Sequence, residues 1–293
     1  MFKSNRNPQF RSKFSEDIFY NKYSHEGAET FHELACTLVE DVCQDYLTKD
    51  EKEELIDHIS NLRFLPGGRY LYYAGREKKF FNNCYLLKAE EDTREDWANL
   101  SWKSESCLMT GGGIGVDYSI YRSEGKPLKG TGGVSSGPIP KMEMINSIGQ
   151  KVIQGGSRRS AIYASLNWKH DDIDKFLIAK NWSDMPVGST GKTLFDIKLE
   201  DFNFPAPLDM TNISVNYDTE WLLNYWETGE IGNVFRNNIS QALRTGEPGF
   251  SFNFFEKENE TLRNACTEVT SEDDSDVCNL GSLNFARIDD LNQ

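Results

Sequence analysis

The chain has 293 residues, a net charge of −14, 38% hydrophobic and 12% aromatic residues. This suits one large domain, or one domain with an appended helical piece. The acidic balance excludes a general nucleic-acid binder, and the absence of an apolar run of about 18 residues excludes a membrane span.

The N-terminal residues Met1 to Pro8 contain no apolar signal region, and six cysteines do not make a secreted disulfide framework. A cytoplasmic location is therefore expected. Residues 1–27 read as polar and irregular. Residues 28–47 read as an amphipathic helix with Phe31, Leu34, Ala35, Leu38, Val42 and Tyr46 on one face. Cys36 and Cys43 flank that face as structural residues. Thr48-x-x-Glu51 is a capping-box pattern and opens a second helix. After Leu65-Pro-Gly-Gly-Arg69, the run Phe80 to Leu87 reads as a buried strand carrying Cys84.

Residues 93–110 form a predicted helix that includes Cys107 and ends at the glycine run Gly111-Gly-Gly-Ile-Gly-Val-Asp117. That run is neither a P-loop nor a dinucleotide fingerprint, because no Gly-Lys-Ser/Thr follows and the strand–glycine–helix order is missing. From Tyr118 to Trp168 seven basic residues stand against two acidic ones, and twelve of the 23 glycines lie between Gly111 and Gly156. Cations beside bare backbone amides suit a small phosphorylated ligand. A solvated basic face would explain the charge, but not the glycines. Residues 139–153 are a helix pattern. Ala164 to Trp168 reads as a strand, Asp171 to Asn181 as a helix, and Gly188 to Thr193 as a surface loop. Thr211 to Val215 is a further strand. Thr219 to Trp226 and Val234 to Leu243 are helices, and Phe250 to Phe254 is a strand after the turn residues Pro248 and Gly249.

The chemistry concentrates in Asn264-Ala-Cys-Thr-Glu268 and Cys278-Asn-Leu-Gly-Ser-Leu-Asn284. On an extended segment Asn264, Cys266 and Glu268 share one face, so an amide, a thiol and a carboxylate meet. The carboxylate can take a proton, the amide can bind hydroxyls, and the thiol can give up a hydrogen atom or an electron pair. Neither thiol has a second Cys or a His at zinc-ligand spacing, so no metal site is expected. The residues alone define a candidate redox site.

Asn-x-Cys-x-Glu followed by Cys-Asn-Leu-Gly-Ser-Leu-Asn resembles the finger-loop signature of the ribonucleotide reductase large chain, most closely the adenosylcobalamin-dependent class. The family form commonly reads Asn-Pro-Cys-Gly-Glu; here Ala265 and Thr267 hold the variable places. Gly111 to Gly115 resembles the family's substrate-site glycines. Gly125 to Gly133 and Gly155 to Ala161 resemble its two specificity loops, and Asn212-Ile-Ser-Val215 a barrel strand.

The resemblance implies the N-terminal portion of a ten-stranded α/β barrel with a central finger loop. A helical region (1–63) would precede the barrel part (64–293). Cys266 would become a thiyl radical and take the ribose 3′ hydrogen. Glu268 would accept the 3′-hydroxyl proton and Asn264 would hold the ribose hydroxyls. Cys84 and Cys278 would supply two electrons and end as a disulfide. Asn83, Gly112 and Gly113 would meet the substrate. Glu91 or Asp92, with Lys126, Lys129, Arg158 and Arg159, would bind a deoxynucleoside triphosphate effector. Adenosylcobalamin would generate the radical, and an external dithiol such as thioredoxin would restore the thiols. Family chains continue well past the second motif, whereas this one stops fifteen residues after Cys278. The chain is therefore expected to be one half of a split enzyme, with the C-terminal half of the barrel on a separate chain, or a truncated piece. The rival expectation is a regulatory or scaffold chain that binds the effector without chemistry. A glycyl-radical-type enzyme would share the barrel but does not call for the two-cysteine electron pair.

Overall fold

The structure is a computed structural model and describes residues 10–130, 132–152 and 160–288. In chain order the helices are α1 (Lys13–Ile18), α2 (Phe31–Cys43), α3 (Lys49–Ser60), α4 (Gly68–Tyr73), α5 (Arg94–Met109), α6 (Pro138–Lys151), α7 (Ile173–Leu177), α8 (Leu194–Glu200), α9 (Thr219–Thr228) and α10 (Gly232–Thr245). The strands are β1 (Phe64–Pro66), β2 (Cys84–Lys88), β3 (Gly113–Asp117), β4 (Ile162–Asn167), β5 (Thr211–Tyr217), β6 (Gly249–Phe252), β7 (Leu262–Arg263), β8 (Thr270–Ser271), β9 (Asp276–Cys278) and β10 (Gly281–Leu283). Two compact units emerge. One is the segment ending at Asn83 together with the segment starting at Asn279; the other is Cys84–Cys278.

In the first unit, β1 pairs antiparallel with β10. Thr30 and Thr48 each close a capping box, with Glu33 and Glu51, and so start α2 and α3. Phe31, Leu34, Ala35 and Leu38 are buried as the periodicity predicts, but Val42 is only half-buried and Tyr46 is exposed. The helix stops at Cys43 because Gln44 takes a φ of 39°, so Tyr46 lies beyond the periodic stripe. Residues 13–23, expected to be irregular, are helical: Ser12 caps α1, and a π-turn from Phe19 to Tyr23 follows.

The second unit is built on a six-stranded sheet in the order β6-β5-β4-β3-β2-β9. Strands β2 to β6 are parallel, and β9 joins β2 antiparallel. Sequential parallel neighbours joined through helices form an α/β layer of the barrel kind. Alternation along the strands separates two faces. Ile114, Val116, Ile162, Ala164, Leu166, Ile213, Val215 and Tyr217 point one way and pack with Leu100 and Leu108 of α5, Met142 and Ile145 of α6, Phe176 of α7 and Trp221 of α9. The opposite face carries Cys84, Gly113, Gly115, Asp117, Tyr163, Ser165, Ser214, Asn216 and Ser251. There the Tyr163 and Ser251 hydroxyls lie 2.7 Å apart, and Asn216 Nδ2 donates to Ser165 Oγ over 3.0 Å. No helix among the described residues is long and apolar enough to cross a membrane.

Candidate active site

The strand pairing brings two distant thiols together. Cys84 opens β2 and Cys278 closes β9, and the two are direct cross-strand partners. Antiparallel partners have Cα atoms about 4.5–5.5 Å apart, within the range a disulfide spans. Both thiols are free and buried. The approach to β9 is fixed by polar contacts: Lys103 of α5 pairs with Asp274, Asp274 Oδ1 accepts the Lys88 backbone N–H at 3.0 Å, and the Ser275 N–H donates to the Leu86 carbonyl at 2.8 Å.

The third thiol arrives on a turn between β7 and β8, strands that pair antiparallel. The expectation of an extended Asn264–Glu268 segment is corrected here. Thr267 N–H donates to the Asn264 carbonyl at 3.0 Å and closes a turn. Asn264 is therefore buried while Cys266 and Glu268 are exposed. They do not share one face, yet Asn264 and Glu268 converge on the same sulfur. Asn264 Nδ2 donates to Cys278 Sγ at 3.6 Å, and the Cys278 thiol donates to Glu268 Oε1 at 3.8 Å. Asn264 Oδ1 accepts the Val269 N–H at 3.1 Å.

These contacts set the thiol acidity. Burial, the neighbouring Cys84 and the Glu268 carboxylate push Cys278 up to about 11. Burial also raises Cys84, with Cys266 and Glu268 adding to the rise, while the nearby Ala265 N–H and Asn264 amide oppose it. Near neutral pH both thiols of the pair are protonated, so each can give up a hydrogen.

Two glycines on the polar face make room for the turn. A Cβ on Gly115 would stand 1.7 Å from the Arg263 carbonyl oxygen, and one on Gly113 would stand 3.1 Å from both Ala265 Cβ and Cys84 Sγ. What comes close to Gly113 in this structure is thus the turn itself; Gly112 is buried beside it. Arg263 anchors the turn from within: its Nη2 donates to Asn253 Oδ1 at 2.7 Å and its Nη1 to the Glu260 carbonyl at 2.8 Å. The sequence reading missed Arg263 as part of the site and placed Gly115 only within the run of substrate-site glycines. The alternation of Gly113 and Gly115 on one strand face was the available signal. Asn83 lies in the other unit, directly before Cys84 in the chain.

A second locus gathers other expected residues. A cavity of about 750 Å³ is lined by Asp92, Tyr121, Arg122, Lys126, Lys129 and His170, among others. Arg122 holds Asp92 in place: its backbone N–H reaches Asp92 Oδ2 at 3.2 Å and Nη2 reaches the Asp92 carbonyl at 3.0 Å. Lys126 pairs with Asp171 at 2.9 Å. Glu91 is not among the lining residues; its backbone N–H is bound by Asp96 at 2.8 Å. Arg158 and Arg159 lie outside the described residues, as does most of the expected second specificity loop.

Residues 82–201 match the family described as ribonucleotide reductase, barrel domain. The chain is 28% identical over 267 residues to the ribonucleoside-diphosphate reductase subunit alpha of Chlamydia muridarum, an alignment covering 78% of this chain and 25% of that protein. It is 28% identical over 254 residues to a vitamin B12-dependent ribonucleoside-diphosphate reductase of Mycobacterium tuberculosis, covering 78% of this chain and 33% of that one. The chain thus spans a quarter to a third of the length of these relatives. Its fold is similar to that of the Actinobacillus ureae class Id ribonucleotide reductase alpha subunit, with a TM-score of 0.69 and 17% identity over 94% of this chain and 50% of that one. Residues 82–201 thus resemble a ribonucleotide reductase barrel domain, and the chain is similar to part of the large, or alpha, subunits of that family.

Proposed function

We propose that the chain supplies the thiol chemistry of ribonucleotide reduction. The observation that carries this reading is the register of Cys84 against Cys278 beside a turn that presents a third, exposed thiol. Cys266, as a thiyl radical, takes the hydrogen from ribose C3′ and leaves a carbon radical. Glu268 accepts the 3′-hydroxyl proton as a general base. The 2′-hydroxyl leaves as water, with a proton from the thiol pair. Cys84 and Cys278 give two electrons and close a disulfide, and Cys266 then returns its hydrogen to C3′. The balance is one ribonucleotide and one dithiol to one deoxyribonucleotide, one disulfide and one water. An external dithiol of the thioredoxin kind then reduces the disulfide.

Cys266 is exposed and free, which suits a radical delivered from outside the turn. Adenosylcobalamin, in keeping with the vitamin B12-dependent relatives, is the generator we favour, and when bound it would supply the first hydrogen-atom abstraction. The sheet edge at β6, with Phe252 exposed, suits addition of further barrel strands from a separate chain or segment. The 750 Å³ cavity with Asp92, Lys126 and Lys129 suits the effector nucleotide, and it also supports the second reading, a nucleotide-binding regulatory chain.

The test is reduction of a ribonucleoside diphosphate, then a triphosphate, by this chain with its C-terminal complement. It is run with and without adenosylcobalamin and a dithiol. Cys84→Ser, Cys266→Ser and Cys278→Ser should each abolish turnover. No activity in any combination, with effector binding retained, would leave the regulatory reading standing instead.

A further inference from the structure

The amide of Asn264 is committed to protein partners in a way that its expected contact with ribose does not require. Its residue is fully buried. Oδ1 is fixed by the Val269 N–H at 3.1 Å, which orients the group so that Nδ2 faces sulfur. Nδ2 donates to Cys278 Sγ at 3.6 Å, and Cys278 is the direct cross-strand partner of Cys84. A primary amide has two N–H donors and two acceptor sites. One donor goes to the Cys278 thiol, and one acceptor site remains on Oδ1 for a hydroxyl. Asn264 thus donates to the same thiol that Glu268 accepts from, and so fixes one member of the cross-strand pair.

We infer that Asn264 is a positioning residue for the thiol couple, holding Cys278 beside Cys84 in the reduced state through an amide N–H. The inference rests on the reading of the pair as a redox couple and adds a duty to the one toward ribose. The dithiol state gains the N–H···S contact on Cys278, so losing it favours the disulfide. In that step two thiols lose two electrons and two protons, and glutathione disulfide accepts them as two glutathione molecules.

The experiment needs no nucleotide. The purified chain is equilibrated at neutral pH in glutathione buffers of graded potential, quenched with acid, and the Cys84–Cys278 disulfide is measured by peptide mass spectrometry. Asn264→Ala removes the donors, and Asn264→Leu removes them while keeping the volume. Both should reach half-oxidation at a ratio of glutathione disulfide to squared glutathione about fivefold lower than the wild type, the scale set by one modest hydrogen bond. A shift in the Ala variant alone would mean that packing, not hydrogen bonding, is at work, and would overturn the inference, as would no shift in either. Should both variants fail to fold, the unaltered chain decides. The Asn264 side-chain ¹⁵N–¹H signals should move when the pair is oxidised, and signals that stay put would overturn the inference. A wild-type pair that never joins defeats the couple itself. A pair that joins, with variant midpoints unchanged, defeats only the role of Asn264.

Discussion

The two faces of the central sheet are made by the same strands, one residue out of phase, and they do opposite work. On one, Ile114, Val116, Ile213 and Val215 are sealed under helices and hold the unit together. On the other, glycines, hydroxyls, amides and a thiol line up where the β7–β8 turn presses in. Parallel sheets covered on both sides usually read as continuous apolar runs. The polar second face marks these strands as the wall of a site, and it forgoes burial energy to become one. Stability and chemistry are thereby separable by a single step along a strand.

The sharpest way to break this comparison is to cut into each face and read both properties. Ile213→Ala on the apolar face opens a cavity under the helices and should cost about 2–5 kcal/mol in denaturant unfolding. The yield of the Cys84–Cys278 disulfide in the folded fraction should not change. Gly115→Ala on the other face forces a methyl into the space of the Arg263 carbonyl, 1.7 Å away. It should cost about 1–3 kcal/mol as the turn is pushed off the sheet, and it should lower turnover by the complemented enzyme sharply. If Ile213→Ala disturbs the thiols as much as Gly115→Ala disturbs turnover, the faces are not separable.

The thiol pair adds a dependence on pH that the apolar face lacks. Cys278 is raised from 9.0 to about 11, burial being the largest cause. A group whose proton is held more tightly when folded stabilises the fold below its unfolded value and loses that contribution as pH rises through the folded one. Unfolding midpoints should therefore fall between pH 9 and pH 11. Cys278→Ser, which cannot titrate there, should flatten part of that fall. An identical profile in the variant would show that Cys278 does not ionise differently in the two states.

Much of this was legible in advance, and the reasons differ by region. Helices α3 and α5, each with a capping threonine, begin where the pattern places them, because a cap is a local device, whereas α2 begins at Phe31 behind an unread Thr30 cap and not at 28. Strands β4 and β5 were expected close to their places, at Ala164 to Trp168 and Thr211 to Val215, whereas β3 was read only as a glycine run. The partnership of Cys84 with Cys278 could not come from spacing, since β9 returns antiparallel to β2 after almost the whole unit has intervened; it came from family resemblance. Helix α8 went unread directly after Gly188 to Thr193, the stretch read as a surface loop, although Thr193 and Asp196 form its capping box. The site turn was misread as extended because period-two spacing is equally compatible with a turn whose ends are pinned by other strands. Nothing in a threonine announces the left-handed backbone it adopts there.

That threonine offers the smallest and most local test of the polar face. Thr267 sits at φ 71°, a region that β-branched residues avoid. The strain lies within the turn that carries Cys266 and supports no packing on the apolar face. Glycine reaches this φ freely, at the cost of greater freedom in the unfolded chain. Thr267→Gly should therefore stabilise the unit by about 1 kcal/mol, the strain relieved less the added chain entropy. Equilibrium denaturation measures the gain. Turnover by the complemented enzyme measures whether the strain serves the chemistry. A variant that is more stable and equally active makes the left-handed threonine a tolerated defect. One that is more stable and slower makes it part of how the turn presents Cys266.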